Sequence, residues 1–452
     1  MTREKAESQE KKILYVGVDI GSSKIAVAAA TDIADIQRLV ALRDEGKLDD
    51  RLVMTRAGRE RLTQEFASSV PPFTHIEPSA VGYLRDPADG ETLVRLIADD
   101  LVDARTSGRD VKLFGSEIRL NTYPGLEAIE PLAILKDETK RGELGPDSPL
   151  YEKVLRASAD LIERALRFAV DHFTSARQDI GEIRVFYGRP AGDSPHLQRF
   201  AYEITERVVP NGLRVGGVLI PISDKDGDGE STLNVRFHNA PLDAVVVDMG
   251  ASTTDLTRSR AGPIDPETDE RTLYLGGRKL IARLTTALNE RLPQQGFTPG
   301  RVTPLFNKYA YVALEPQEVT VTPEELDLAG RERINIGREL YAATEGLAQQ
   351  LVDPVRSLAI RSGARRAEFG PITLGGEEEF EQEGTHTILL TGRCGAGLGE
   401  RGLAQALENE LNAGADKGFK VQVLQGAAHF SVALQALIEH YRREEIRKAL
   451  NV

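Results

Sequence analysis

The sequence predicts a mixed α/β protein of more than one domain, and three observations carry that expectation. The chain has 452 residues, which at roughly 100–200 residues per domain amounts to two to four domains. A β-branched strand, an Asp, a short Gly/Ser-containing turn and a returning strand occur in that order twice, beginning at Ile13 and again at Ala244. Segments with helical periodicity lie between and after these two hairpins, so strands and helices alternate rather than segregate.

Composition narrows the functional classes. The balance of 57 Lys+Arg against 70 Asp+Glu gives a formal charge of −13, which argues against a broad basic surface for nucleic acid. The single cysteine, Cys394, excludes an intramolecular disulfide and a cysteine-cluster metal site. Seven scattered histidines show no H-x-x-x-H or H-E-x-x-H spacing of the kind that holds zinc. No apolar run approaches the roughly 20 residues of a membrane span. The polar opening M-T-R-E-K-A-E-S-Q-E-K-K lacks the apolar core of a signal peptide and reads as a solvated tail. The expectation is a cytoplasmic protein with no transmembrane segment and no direct nucleic-acid partner.

Taken in order, residues 13–19 (I-L-Y-V-G-V-D) form a strand, residues 20–24 a turn and residues 25–30 a second strand, a hairpin. Residues 31–115 read as a small appended subdomain with helices near 33–45, 55–68 and 91–105. Apolar residues at 154, 155, 161, 162, 165, 166, 169 and 170 predict a helix over 151–173. A strand at 183–187 and a helix over 195–209 follow. Residues 213–222 and 231–237 read as strands flanking an Asp/Gly turn at 223–230. The second strand–turn–strand spans 244–257, and a helix runs from the Gly pair at 276 to about 292. Residues 297–333 mix short elements, and 334–361 reads as one long helix. An acidic loop at 375–384 precedes a strand at 387–390, then a glycine-rich turn opens a helix to about 411. A strand at 421–424 and a helix at 427–443 close the pattern.

Chemistry concentrates in Asp19-Ile-Gly-Ser-Ser-Lys24 and Asp248-Met-Gly-Ala-Ser-Thr-Thr-Asp255. A glycine lets the backbone approach a phosphate, and turn N–H groups with Ser/Thr hydroxyls donate to its oxygens. An Asp at the strand end can hold Mg²⁺ through water or orient a water nucleophile. One such turn is common in ordinary hairpins; two, facing each other, would clamp a polyphosphate.

This pair resembles the phosphate motifs of the actin-like ATPase superfamily, and the Thr-Thr-Asp ending is most similar to the bacterial actins of the MreB/MamK type. Leu275-Gly-Gly-Arg-Lys279, Asn307-Lys-Tyr309 and Thr391-Gly-Arg-Cys-Gly-Ala-Gly-Leu-Gly399 with Arg401-Gly-Leu403 resemble that family's later motifs in order. The resemblance implies two ribonuclease-H-like α/β domains with ATP in the cleft between them, each domain carrying a small appended subdomain. It divides the chain into a tail (1–12), domain I (13–240, subdomain about 31–115), domain II (241–425, subdomain about 278–335) and a closing helix returning to domain I (426–452). It implies that Gly21, Ser22, Ser23 and Lys24 contact the β/γ-phosphates from one side and Gly250, Ser252, Thr253 and Thr254 from the other. Asp19 and Asp248 would hold hydrated Mg²⁺. Gly276, Gly277 and Lys308 would lie near the ribose, and Gly392, Gly395 and Gly397 against the adenine.

The sequence departs from the family in one respect that bears on turnover. Bacterial actins enter the helix before the second phosphate motif through a Glu-Pro pair whose Glu is tied to hydrolysis, and residues 210–240 contain no such pair. Asp193 and Glu203 are the polar candidates for positioning water. ATP/ADP binding with Mg²⁺ is therefore better supported than rapid hydrolysis. The implied function is a filament-forming cytoskeletal protein, its own head-to-tail partner, with slow ATP hydrolysis controlling assembly and adaptor proteins as further partners. A monomeric chaperone-like or regulatory ATPase and a small-molecule kinase are the alternatives. Bland readings apply elsewhere. Residues 224–230 read as a solvated turn rather than a calcium loop, because position twelve is Val235. Cys394 reads as a small buried residue, residues 377–383 as a solvated loop, and His172, His429 and His440 as packing or surface groups.

Overall fold

In the computed structural model, the described residues are 11–48, 55–66, 69–85, 92–97, 110–113, 116–119, 126–190, 195–260, 264–309, 317–326, 328, 333–369, 386–413, 418–424 and 430–450. The expected tail up to residue 10, the acidic loop at 375–384 and His429 lie outside them. The chain divides into two compact units, Met1–Phe237 with His429–Val452, and His238–Ala428.

The first unit is built on a six-stranded sheet. Strand Lys12–Ile20 turns antiparallel into Lys24–Ala30 with Ile20 opposite Ile25, and Phe73–Pro78 adds the next antiparallel strand. On its other side Lys12–Ile20 runs parallel to Ile180–Arg189, which runs parallel to Val218–Gly229, and Gly212–Val215 forms the edge. Side chains alternate across a strand, so Leu14, Val16, Val18 and Ile20 enter the main core together with helix Pro149–Ser175. All eight apolar positions that predicted this helix are buried. Ser148 caps it, accepting from the Leu150 and Tyr151 amides at 3.1 and 3.3 Å, and Pro149 occupies a first-turn position where no amide hydrogen is required.

The opposite face of the same strand carries Tyr15, Gly17 and Asp19, and helix Ser431–Leu450 lies against it. The His440 ring lies tilted against Tyr15, with centroids 5.3 Å apart and planes at 59°. A Cβ at Gly17 would fall 2.1 Å from the Ala433 carbonyl oxygen and 2.4 Å from the Leu437 nitrogen, so only glycine permits this approach. Phe186, Leu233, Val432 and Ala436 complete the contact.

Several sequence expectations are corrected here. The hairpin lies earlier than expected: Gly216 and Gly217 adopt φ of 55° and 85°, the left-handed pair that a tight hairpin turn favours. The Asp/Gly run at 224–229 is neither turn nor calcium loop but the second half of strand Val218–Gly229. Its alternate aspartates face arginines. Arg443 pairs with Asp226, Arg447 reaches Asp224 at 3.3 Å, and Arg236 reaches Asp228 at 2.9 Å. Residues 231–237 are helical, within Glu230–Phe237. Ser231 to Val235 and Phe237 are all buried, so the segment shows no amphipathic period and mimics a buried strand. The described part of the helix expected at 91–105 is instead strand Thr92–Ile97, in a three-stranded antiparallel sheet with Val81–Arg85 and Leu126–Ile129. The single helix expected over 334–361 is a short strand and two helices, Gly337–Thr344 and Leu347–Phe369. Gly346, at φ 68°, supplies the left-handed residue that stops the first of them.

The second unit repeats the hairpin theme. Val245–Met249 turns antiparallel into Thr254–Arg258, with Glu270–Leu273 beyond it. On its other side Val245–Met249 runs parallel to His386–Thr391 and Phe419–Val423. Its core joins Val245, Val247 and Met249 to helices Gly277–Arg291, Gly337–Thr344 and Leu347–Phe369.

Candidate functional site

In the first unit the expected turn closes with the Gly21 amide donating to the Lys24 carbonyl at 2.8 Å, and the Ser79 amide braces the Ser23 carbonyl at 3.1 Å. Asp19 stands level with Gly188 in the parallel register, and Gly188 in turn with Asp228. These positions mark the carboxyl edge of three parallel strands, where α/β sheets place their ligands. Glu230 opens the helix directly after the third strand.

Four charges gather at this edge: Asp19, Lys24, Lys136 and Glu230. Burial pushes the Asp19 carboxyl up to about 7, and the negative charge of Glu230 adds to the rise. Lys24 and Lys136 oppose it without cancelling it. A carboxylate this costly to ionise is suited to a cation that would restore the charge balance. Lys136, which follows helix Pro131–Leu135, is almost fully buried and donates to Glu230 Oε1 at 2.8 Å. Neither Lys136 nor Glu230 was among the expected site residues. The signal for Glu230 was a Gly-Glu step between an extended run and a helix, hidden because the run before it is rich in Asp and Gly.

In the second unit the turn after Asp248 closes with the Gly250 amide on the Thr253 carbonyl at 2.9 Å. The start of helix Gly277–Arg291 braces it. The Gly277 amide donates to Gly250 O at 3.1 Å and the Arg278 amide to Ala251 O at 2.8 Å. A Cβ at Gly276 would lie 2.6 Å from the Ser252 carbonyl carbon. Gly276 and Gly277, expected near a ribose, thus build the turn itself.

The hydroxyls of the turn divide. Thr253 Oγ1 donates to Asp255 at 3.0 Å, Thr254 Oγ1 donates to the Leu275 carbonyl, and Ser252 Oγ is buried with no partner. Buried polar atoms are ordinarily satisfied, so an orphaned hydroxyl inside an Asp-Gly turn fits an acceptor supplied by a bound anion such as phosphate.

The glycine-rich turn meets the same strand end. Gly392 has φ 78°, and a Cβ there would fall 2.2 Å from Asp248 Oδ1. At Gly395 a Cβ would lie 3.1 Å from Met249 Cβ. Gly397 lies in the short helix Arg393–Leu398 that follows. The described surroundings of Gly392 and Gly395 are therefore the end of strand Val245–Met249. Cys394 is buried, as expected. Lys308 sits on helix Pro299–Tyr309 with a largely exposed side chain and its ammonium 2.5 Å from Glu325. Asp193 lies outside the described residues. Among the described residues no group of three or more His, Cys, Asp or Glu could hold a metal. Mg²⁺ taken chiefly by water and phosphate oxygens needs only one or two protein carboxylates, so the lack of a three-residue cluster does not bear on it.

Two α/β units, each presenting an Asp-ended strand, a hydroxyl-bearing turn and a returning strand, define an actin-like fold of the MreB/MamK type. Among solved structures, the chain is similar to the MamK double helical filament, with a TM-score of 0.58 at 18% identity, over 96% of this chain and 99% of that one. It is likewise similar to MreB5 of Spiroplasma citri bound to AMPPNP, with a TM-score of 0.52 at 11% identity, over 98% and 99% of the two chains. For the same protein bound to ADP the TM-score is 0.51 at 10% identity, over 97% and 99%. No family model matches the sequence, and no curated protein matches it by sequence. At these identities the likeness establishes the fold.

Proposed function

We propose that this chain is a bacterial actin-like cytoskeletal protein that binds ATP with Mg²⁺ between its two phosphate turns and polymerises head to tail. The observation that carries the reading is the repetition, once per unit of an actin-like fold, of the Asp–Gly–hydroxyl hairpin, with Ser252 left unsatisfied in one copy. In this reading Gly21, Ser22, Ser23 and Lys24 hold the β/γ-phosphates from one side. Gly250 and Ser252 hold them from the other, with Thr253 and Thr254 fixing the turn. Asp19 and Asp248 would hold hydrated Mg²⁺, which would supply positive charge against the phosphates. Glu230, at the same strand edge as Asp19, orients the attacking water. Gly392, Gly395 and Gly397 close the site at the end of the Asp248 strand. Asymmetric contacts that do not close a ring generate open filaments, and hydrolysis shifts their strength through domain rotation. The MamK and MreB5 neighbours support it, the first as a double helical filament and the second as nucleotide complexes. Among the described residues no helix is long and apolar enough to cross a membrane, which agrees with a cytoplasmic filament. Sedimentation with and without ATP and Mg²⁺, followed by negative-stain microscopy, tests it. Nucleotide-dependent filaments are expected, and a persistent monomer in every nucleotide state would reject the proposal.

A further inference from the structure

The pair Lys136–Glu230 is unusual in placing an ammonium 2.8 Å from a carboxylate with both side chains largely withdrawn from water. Desolvating two such groups is expensive, and a Lys136 left exposed would avoid that cost. Both charges also act on Asp19, so the pair belongs to the strand edge that carries the first phosphate turn. Lys136 is anchored for this task. Its amide donates to the Leu132 carbonyl at 2.9 Å, at the end of a helix whose Pro131, Leu132 and Leu135 are buried. Glu230 is fixed from the opposite side. It begins a helix packed under Val432, and a Cβ at Gly188 would already approach Glu230 Cβ to 3.6 Å. The pair therefore joins the end of helix Pro131–Leu135 to the start of helix Glu230–Phe237 across the strand edge.

We propose that Lys136 is the positioning residue for Glu230, holding its carboxylate in one rotamer so that it can orient the hydrolytic water. This rests on the reading of the chain as an ATPase that uses Glu230. A charge-assisted hydrogen bond from a buried lysine fixes direction, and orientation of this kind governs turnover more than substrate binding. The alternative is a lock that only fastens helix Pro131–Leu135 to helix Glu230–Phe237, which would move stability while leaving the hydrolytic step alone.

The test is steady-state phosphate release by the full chain, with ATP affinity measured separately by titration of a fluorescent ATP analogue. Lys136→Met should lower kcat by about tenfold to hundredfold with KM and analogue affinity within about twofold of wild type. Lys136→Arg should restore most of the rate. Glu230→Gln should show a similar loss, and the double variant should be no slower than Glu230→Gln alone, because the two residues act as one unit. An unchanged kcat in Lys136→Met would overturn the assignment, as would losses that multiply in the double variant. If Lys136→Met does not fold, Lys136→Arg decides: a wild-type melting temperature with no hydrolytic rate would reject the idea. Failure of the underlying reading looks different, since the wild-type chain itself would then bind no ATP analogue.

Discussion

Replacing Asp19 with asparagine should stabilise the nucleotide-free protein at neutral and alkaline pH while abolishing Mg·ATP binding. Asp19 carries a carboxyl raised from 3.8 to about 7, first by burial and then by Glu230. Three units at about 1.4 kcal/mol each set an upper bound of roughly 4 kcal/mol against the ionised folded state, and local relaxation brings this to about 2–4 kcal/mol. The sign follows from proton binding. Between pH 4 and 7 the folded protein holds a proton on Asp19 that the unfolded chain has released, so the wild type loses stability as pH rises through that window. Below about pH 4 both states are protonated and the asparagine variant should match the wild type. Above pH 7 the full penalty is present, and the variant should melt about 4–8 °C higher for a unit of this size. Thermal unfolding monitored by circular dichroism without nucleotide, from pH 4 to 8, gives the comparison. A melting difference that is flat across this range, or a variant less stable than wild type at pH 8, would refute the reasoning.

Three further outcomes are expected. Ser252→Ala should weaken ATP binding about tenfold, the worth of one hydrogen bond to a charged acceptor, without lowering the melting temperature, as isothermal titration and thermal melts can check. Gly17→Val would drive a side chain into the Ala433 and Leu437 backbone, and a loss of at least about 3 kcal/mol is expected because neither atom can yield. Urea unfolding or loss of soluble expression reads it. Arg443→Ala removes the contacts to Asp226 and Asp224, and since the side chain is a third exposed its cost should be about 1 kcal/mol and smaller in high salt.

What could be read from the sequence was what is encoded locally. Both Asp-ended hairpins are short strands joined by Gly/Ser turns, and the helix over Pro149–Ser175 shows its buried stripe as a plain 3.6-residue period. The two Asp–Gly turns were legible for the same reason. The run at 224–230 was not, because its strand character comes from elsewhere. The ladder to Ile180–Arg189 and arginines some 220 residues later override the turn preference of Asp and Gly. Glu230 and Lys136 were missed together. Their partnership spans 94 positions, and each alone is an ordinary charged residue in a charged sequence.

The packing of Gly17 beneath Ala433 has a consequence for biosynthesis. Strand Lys12–Ile20 leaves the ribosome early, yet the helix that seals it, Ser431–Leu450, is translated only after the whole of His238–Ala428. The inserted unit can condense while the earlier one still waits with Tyr15 and Phe186 bare on one side of its sheet. Nascent chains stalled before residue 431 should therefore be the aggregation-prone, chaperone-dependent species, and emergence of helix Ser431–Leu450 the event that ends that exposure.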